Sequence, residues 1–137
     1  MLQQNEWLAI RDFCQQHAIS AVCYWVLMKG LLAGRLRRDH HFDPRDRRLT
    51  YALYQGDQWE RSQDFLDLLR GLSGELGCTV SQLVIAWTLQ QPGITVALCG
   101  ARRPEQIRET AAAMQLHLDT AAVAQIDRWL AAAAVAG

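Results

Sequence analysis

The chain has 137 residues, 14 basic and 14 acidic, a formal net charge of zero, and half of its residues are apolar. That is enough for one core, and it gives no long-range field to attract nucleic acid or an anionic membrane. The longest mostly apolar run, residues 18–28, is too short to span a bilayer, the opening residues lack the basic-then-apolar pattern of a leader, and Cys14, Cys23, Cys78 and Cys99 form no C-x-x-C pair, so thiols in a reducing cytoplasm are expected.

Residues 5–18 read as a helix, with Trp7, Ile10, Phe13, Cys14 and His17 at three- and four-residue spacing as its core stripe. Residues 19–24 are almost uniformly apolar, as in a parallel strand buried on both faces. Gly30 and Gly34 then punctuate a turn-rich region. Residues 33–57 form a long connection in which Arg35, Arg37, Arg38, Arg45, Arg47 and Arg48 alternate with Asp39, Asp43 and Asp46. Connections this long are usually functional or disordered. Mixed signs argue against a nucleic-acid patch. His40 and His41 beside Asp39 and Asp43 lack any geometry that fixes a metal, and a solvated loop is expected there.

Helical periodicity returns with Trp59, Phe65, Leu66, Leu68, Leu69 and Leu72 and ends near Gly74 and Gly77. Thr79 and Gln82 fit a capping box. The helix they start, residues 80–91, is apolar over most of its surface and needs burial on more than one side. Pro92 and Gly93 stop it, and a strand follows over 94–98. A helix begins at Pro104, with Ile107, Ala111 and Met114 as its core stripe and Gln106, Glu109 and Thr110 as a neighbouring polar stripe. That stripe either flanks a ligand or faces water. Asp119 or Thr120 caps a last helix with Val123, Ile126 and Leu130 inward, and the alanine-rich stretch 131–136 favours helix weakly.

The turn between the second strand and Pro104 carries the most chemistry. Gly100 lets backbone approach a ligand. Arg102 and Arg103 add guanidinium forks that match phosphate. Proline suits the first helical position, leaving free N–H groups and the positive end of the helix dipole facing whatever lies above Gly100. The plain alternative is an ordinary turn with solvated arginines.

Two motifs carry a resemblance. Gly100, Ala101, Arg102, Pro104, Glu105, Gln106 and Glu109 resemble the G-A-R-x-P-E-Q-x-x-E-N pattern of the aldo/keto reductase family. The run from Tyr24 to Gly34 is similar to that family's Y-x-P-L-x-x-G-L-L-x-G loop. Three positions depart from the patterns: Val26 stands for proline, Thr110 for asparagine, and Trp25 for a smaller residue. A complete (β/α)8 barrel needs roughly 250 residues. The resemblance therefore implies an α/β fold over residues 1–137, a single partial domain. It would be the C-terminal half of a TIM barrel, with about two parallel strands and five to six helices.

The resemblance further implies a cradle for NADP(H). Tyr24 would stack on the nicotinamide, and Leu27, Gly30 and Leu31 would pass over the pyrophosphate. Gly100 would lie at the phosphate turn, Arg102 near the 2′-phosphate, and Gln106, Glu109 and Thr110 near the adenosine. The family's reaction is hydride transfer between NADPH and an aldehyde or ketone. Its Tyr–Lys–Asp–His tetrad comes from the other half of the barrel, so no catalytic residue and no metal ligand is expected in these residues, and activity alone is not expected. The expected partners are NADP(H) and either the missing barrel half or a second copy of the chain. Neither nucleic acid nor membrane is expected. The rival readings are a non-catalytic nucleotide-binding or assembly module on a half barrel and, last, a nucleic-acid binder using the arginine-rich loop.

Overall fold

A computed structural model describes residues 1–2 and 4–135. In chain order the elements are α1 (Gln4–Gln16), β1 (Ala21–Cys23), α2 (Gly56–Glu75), α3 (Val80–Leu89), β2 (Ile94–Ala97), α4 (Pro104–Ala112) and α5 (Thr120–Val135). Short 3-10 turns over Met28–Ala33, Arg47–Thr50, Ala52–Tyr54 and Ala113–Gln115 fill the connections. β1 and β2 pair in parallel, Val22 against Val96 and Cys23 against Ala97, with an irregularity after Ala21. Among the described residues they form a two-stranded sheet whose outer edges have no partner.

α3 is the axis of the packing. Its first turn closes as the sequence predicts: Gln82 N–H donates to Thr79 Oγ1 at 3.2 Å, and Thr79 N–H to Gln82 Oε1 at 3.0 Å. Nearly all of its surface is covered, with Leu83, Val84, Ala86 and Trp87 buried among Leu31, Leu32, Leu66, Leu69 and Ile126. Polar side chains satisfy backbone at its ends. Gln90 exchanges two hydrogen bonds with the Leu118 backbone, and Gln82 Nε2 donates to Glu109 O at 3.1 Å. Trp87 Nε1 reaches Asp127 Oδ1 at 2.9 Å, which fixes α5 against α3. Asp119 is the cap of α5, since its Oδ1 accepts from Ala122 N–H; Ile126 and Leu130 are buried there, and Val123 half-buried. Ala136 lies outside the described residues.

Two expected core stripes face outward. On α1, Cys14 is buried and Trp7 packs over Gly93, but Ile10, Phe13 and His17 are exposed, because no described residue covers that side. On α4, Ile107 is 59% exposed and Ala111 is exposed too, and Met114, which falls in the 3-10 turn after α4, is 79% exposed. The helix is rolled so that its polar stripe turns inward. Gln106 bonds to the preceding turn and Glu109 to an arginine, and together they set that roll.

Asp39, His40, His41 and Asp43 are exposed, as a solvated loop requires, while aromatic residues anchor the arginine-rich connection to the core. Phe42, Tyr54 and Trp59 form an aromatic cluster with ring centroids 5.6–5.9 Å apart. Tyr54 O–H donates to Met28 O at 2.9 Å, and Trp59 Nε1 to Arg38 O at 3.1 Å. Arg38 is held by Asp64 at 2.7 Å and by Glu60. His40 packs edge-on against Phe42, and no group of three or more His, Cys, Asp or Glu gathers among the described residues. All four cysteines are free thiols. Among the described residues no helix is long and apolar enough to cross a membrane.

Candidate functional site

β1 ends at Cys23, and the backbone that follows is unusual. Trp25, Met28 and Lys29 have φ of 57°, 46° and 55°, with Gly30 at 98°. Non-glycine residues held left-handed concentrate at functional loops. Here close backbone bonds hold them: Met28 N–H to Trp25 O at 2.7 Å and Gly30 N–H to Leu27 O at 2.8 Å. The loop ends at Gly34, φ 74°, whose amide meets Leu31 O.

This loop forms one wall of a cleft of about 1030 Å³. The turn from Leu98 to Arg102 and the inward face of α4 form another wall, and Asp46, Arg47, Arg48 and Tyr51 of the arginine-rich connection add a third. Lys29, Arg35, Arg47, Arg48 and Arg102 line it against only Asp46 and Glu109, so five cations face two carboxylates, an excess of three positive charges. A chain that is neutral overall thus concentrates positive charge in this cleft, and a concave cationic site attracts polyanions.

The charges are fixed unevenly. Arg35 pairs with Glu109 at 2.8 Å, joining the first loop to α4. Arg48 pairs with Asp46 through three side-chain contacts of 2.6–3.0 Å and lies over the Phe42 ring. The Arg48 guanidinium, helped by the Arg48 backbone N–H, pulls the Asp46 carboxyl down to about 2. Lys29 Nζ donates to Tyr51 O–H and lies 4.2 Å and 4.0 Å from the ring centroids of Trp25 and Tyr51. At the α4 end, Gln106 Oε1 accepts from Arg102 N–H at 2.7 Å and Arg103 N–H at 3.2 Å. The sequence leads one to expect free N–H groups at this turn, but those of Arg102 and Arg103 are taken by Gln106. Burial pushes the Cys99 thiol up, so it is a neutral wall of the cleft rather than an anion.

A family model described as the aldo/keto reductase family matches residues 1–131. The chain belongs to that family. It is 32% identical over 118 residues to an NADH-specific methylglyoxal reductase of Escherichia coli strain K12, a match covering 86% of this chain and 35% of that protein. It is 25% identical over 119 residues to an aldo-keto reductase of Schizosaccharomyces pombe whose name carries NADP(+), covering 87% of this chain and 35% of that one. Among solved structures it is similar to a glycerol dehydrogenase from Gluconobacter oxydans, with a TM-score of 0.79 and 27% identity over 88% of this chain and 36% of that one. The chain thus spans about a third of the length of these relatives, less than the half that the barrel arithmetic suggests. The fold is α/β and similar to an aldo/keto reductase barrel, and two parallel strands among helices suit a partial barrel.

Within this aldo/keto reductase chain the structure brings together eight of the nine residues expected in a cradle. Tyr24, Leu27, Gly30, Gly100, Arg102, Gln106, Glu109 and Thr110 all line the cleft. Leu31 does not, being fully buried in the core. Tyr24 is 72% exposed, so its ring is not part of the core. Thr110 Oγ1 is bonded back to Gln106 O at 2.9 Å within its own helix. Trp25, the bulky departure, packs edge-on to Tyr51 at 5.7 Å. The sequence reading missed Arg35, Arg47, Arg48 and Tyr51 as cleft residues, and the available signal was the density of arginines in a connection too long to be a simple link.

Proposed function

We propose that this chain is the C-terminal, NADP(H)-binding part of an aldo/keto reductase barrel, acting in hydride transfer between the nicotinamide and an aldehyde or ketone. The observation that carries this reading is the convergence of eight expected cradle residues in one cleft with an excess of three positive charges. The donor set fits a dinucleotide. Tyr24 offers an exposed ring face for a nicotinamide, since an aromatic face holds one side of a flat ring. Gly30 and Gly100 have open space where a side chain would otherwise stand, so backbone can approach a phosphate closely. Arg102 has no side-chain partner among the described residues and lines the cleft beside α4.

When bound, the dinucleotide would carry the hydride, and the residues here would bind and orient it. Gln106 would hold the turn in shape rather than touch the adenosine, because its carbonyl is already taken by Arg102 and Arg103 N–H. Glu109 would reach the adenosine only when it leaves Arg35. Family membership does not fix the choice of cofactor, given one relative named for NADH and another for NADP(+). The unpaired Arg102 favours the phosphorylated form through charge-assisted, bidentate bonding to the 2′-phosphate.

No Tyr–Lys–Asp–His set stands at matched positions in these residues, so the alkoxide formed in reduction would lack its acid. The reading therefore includes a protein partner, either the rest of a barrel or a second copy, over the exposed Ile10, Phe13, Val22 and Val96. That same surface, with the missing acid, favours a second reading as a non-catalytic nucleotide-binding or assembly module. Titration calorimetry with NADP(H) and NAD(H) tests the binding claim. Arg102→Ala should weaken NADP(H) at least about tenfold, on roughly 2–5 kcal/mol for a buried charged contact and less at a wet rim, and leave NAD(H) nearly unchanged. Equal loss for both would assign Arg102 to the fold, and no binding of either would refute the cradle.

A further inference from the structure

Apart from the cleft, the start of the arginine-rich connection and α2 bound a second hollow of about 380 Å³. Arg37, Arg38 and Asp39 line it from the connection, and Gln63, Asp67 and Arg70 line it from α2. None of the six lines the cleft, so this hollow is independent of the nucleotide reading.

Gln63 is the unusual member. Its side chain is 1% exposed, its Oε1 accepts from Arg70 Nη2 at 3.5 Å, and its Nε2 has no partner among the described residues. The amide cannot turn round, because a flip would set its NH2 group against the Arg70 guanidinium, donor against donor. Arg70 is itself pinned: Nε donates to Gly34 O at 3.3 Å, Nη2 to Leu36 O at 2.6 Å and Nη1 to Asp67 Oδ1 at 2.5 Å. A buried amide donor with no acceptor is costly, and native structures leave so few of them that each calls for an occupant.

The other groups say what that occupant carries. Arg38 is spent on Glu60, Asp64 and Asp67, and Asp67 is shared with Arg70. Arg37 and Asp39 are left, both exposed and without a side-chain partner among the described residues. The hollow thus offers one free cation, one free anion and one buried NH2 group. Water would answer the amide alone. A plain anion would suit Arg37 and Gln63 but meet the Asp39 carboxylate. A carboxylate joined to an ammonium group answers all three.

We propose that this hollow binds a small zwitterion of the α-amino acid class. Its carboxylate takes the planar fork of Arg37 and an N–H of Gln63, and its ammonium group goes to Asp39. Gln63, already held by Arg70, loses little freedom on binding. Arg37 and Asp39 add exposed charged contacts, which are individually modest.

The full chain, labelled with heavy nitrogen, is titrated with L-alanine, acetate and methylammonium while the side-chain NH2 signals of Gln63 are followed by NMR, identified by their loss in Gln63→Glu. L-alanine should shift them saturably. Acetate and methylammonium should bind at least about fivefold more weakly, since each lacks one charged contact. Arg37→Ala should weaken L-alanine about fivefold, and Asp39→Asn should do the same while leaving acetate as tight or tighter. No saturable shift of Gln63 with L-alanine would overturn the proposal and leave the amide to solvent. Acetate as tight as L-alanine would overturn the zwitterion in favour of a plain anion. Wild-type affinity for L-alanine in both Arg37→Ala and Asp39→Asn would overturn the assignment of its charged ends. Both of these side chains are exposed, so the test stands if Gln63→Glu fails to fold, with through-bond assignment of the wild-type chain in its place.

Discussion

Gly34→Ala is the sharpest test of how the cleft loop is held. Gly34 has φ 74°, and a Cβ built there would lie 2.7 Å from both Val80 Cβ and Val80 Cγ2. Val80 is the buried first residue of α3 and has no room to retreat. The left-handed angle alone costs about 1–2 kcal/mol with a side chain present. Overpacking against a fixed core residue adds about 1–3 kcal/mol, for a total of roughly 2–5 kcal/mol. Gly30 is the control, with φ 98° and open space around its Cβ position, so Gly30→Ala carries the angular cost alone. Urea denaturation followed by tryptophan fluorescence should place Gly34→Ala below Gly30→Ala by about 1–3 kcal/mol, or several degrees in Tm at roughly 4 °C per kcal/mol. Because Ala33 and Arg35 flank Gly34 and line the cleft, dinucleotide affinity should fall with stability in Gly34→Ala. Equal destabilisation by the two substitutions would refute the claim that contact with Val80 governs Gly34.

The remaining predictions follow from single contacts. Tyr54→Phe leaves Met28 O without its buried donor and should lower unfolding free energy by about 1–3 kcal/mol in the same urea assay. Asp46 titrates near 2 in the folded chain against about 3.9 unfolded. Its contribution should be complete above about pH 4 and lost as pH falls from there toward 2, and Trp59 fluorescence should report the loosened connection only in that window. The exposed Ile10 and Phe13 on α1 and the unpartnered strand edges should make the chain self-associate; sedimentation should show Phe13→Glu shifted toward monomer, and a wild-type monomer at high concentration would count against a partner surface. These 137 residues alone should not consume NADPH with aldehydes or ketones, and consumption surviving stringent purification would show an acid not recognised here.

Elements whose signals are local were legible. The Thr79–Gln82 box, Pro104 at a helix start and the stop at Pro92-Gly93 concern contacts within a few residues, and each stands where the pattern puts it. The apolar surface of α3 correctly demanded burial on several sides, and the chain supplies it without a partner. The orientation of α1 and α4 was not legible. Periodicity finds an apolar stripe but not which neighbour covers it. On α4 two polar contacts, Gln106 to the turn and Glu109 to Arg35, roll the opposite face inward.

The cleft shows the same limit more sharply. Its family-like residues were readable because they lie in two short motifs. Arg47 was not, since nothing in sequence separates it from Arg37, Arg45 or Arg48. Composition predicts a neutral chain, and the connection alternates arginine with aspartate, so a solvated salt-bridged loop was the natural expectation. What decides the cleft's free charge is which arginine keeps a carboxylate. Asp43 takes Arg45, Asp46 takes Arg48, and Asp64 and Glu60 take Arg38. Each of those pairs is neutral at the surface and worth little. Their effect is subtraction: they remove the balanced charge and leave Arg47 free on an ordered turn inside the cleft. A charge left unpaired among many is invisible to any count of charges, and only three-dimensional pairing reveals it.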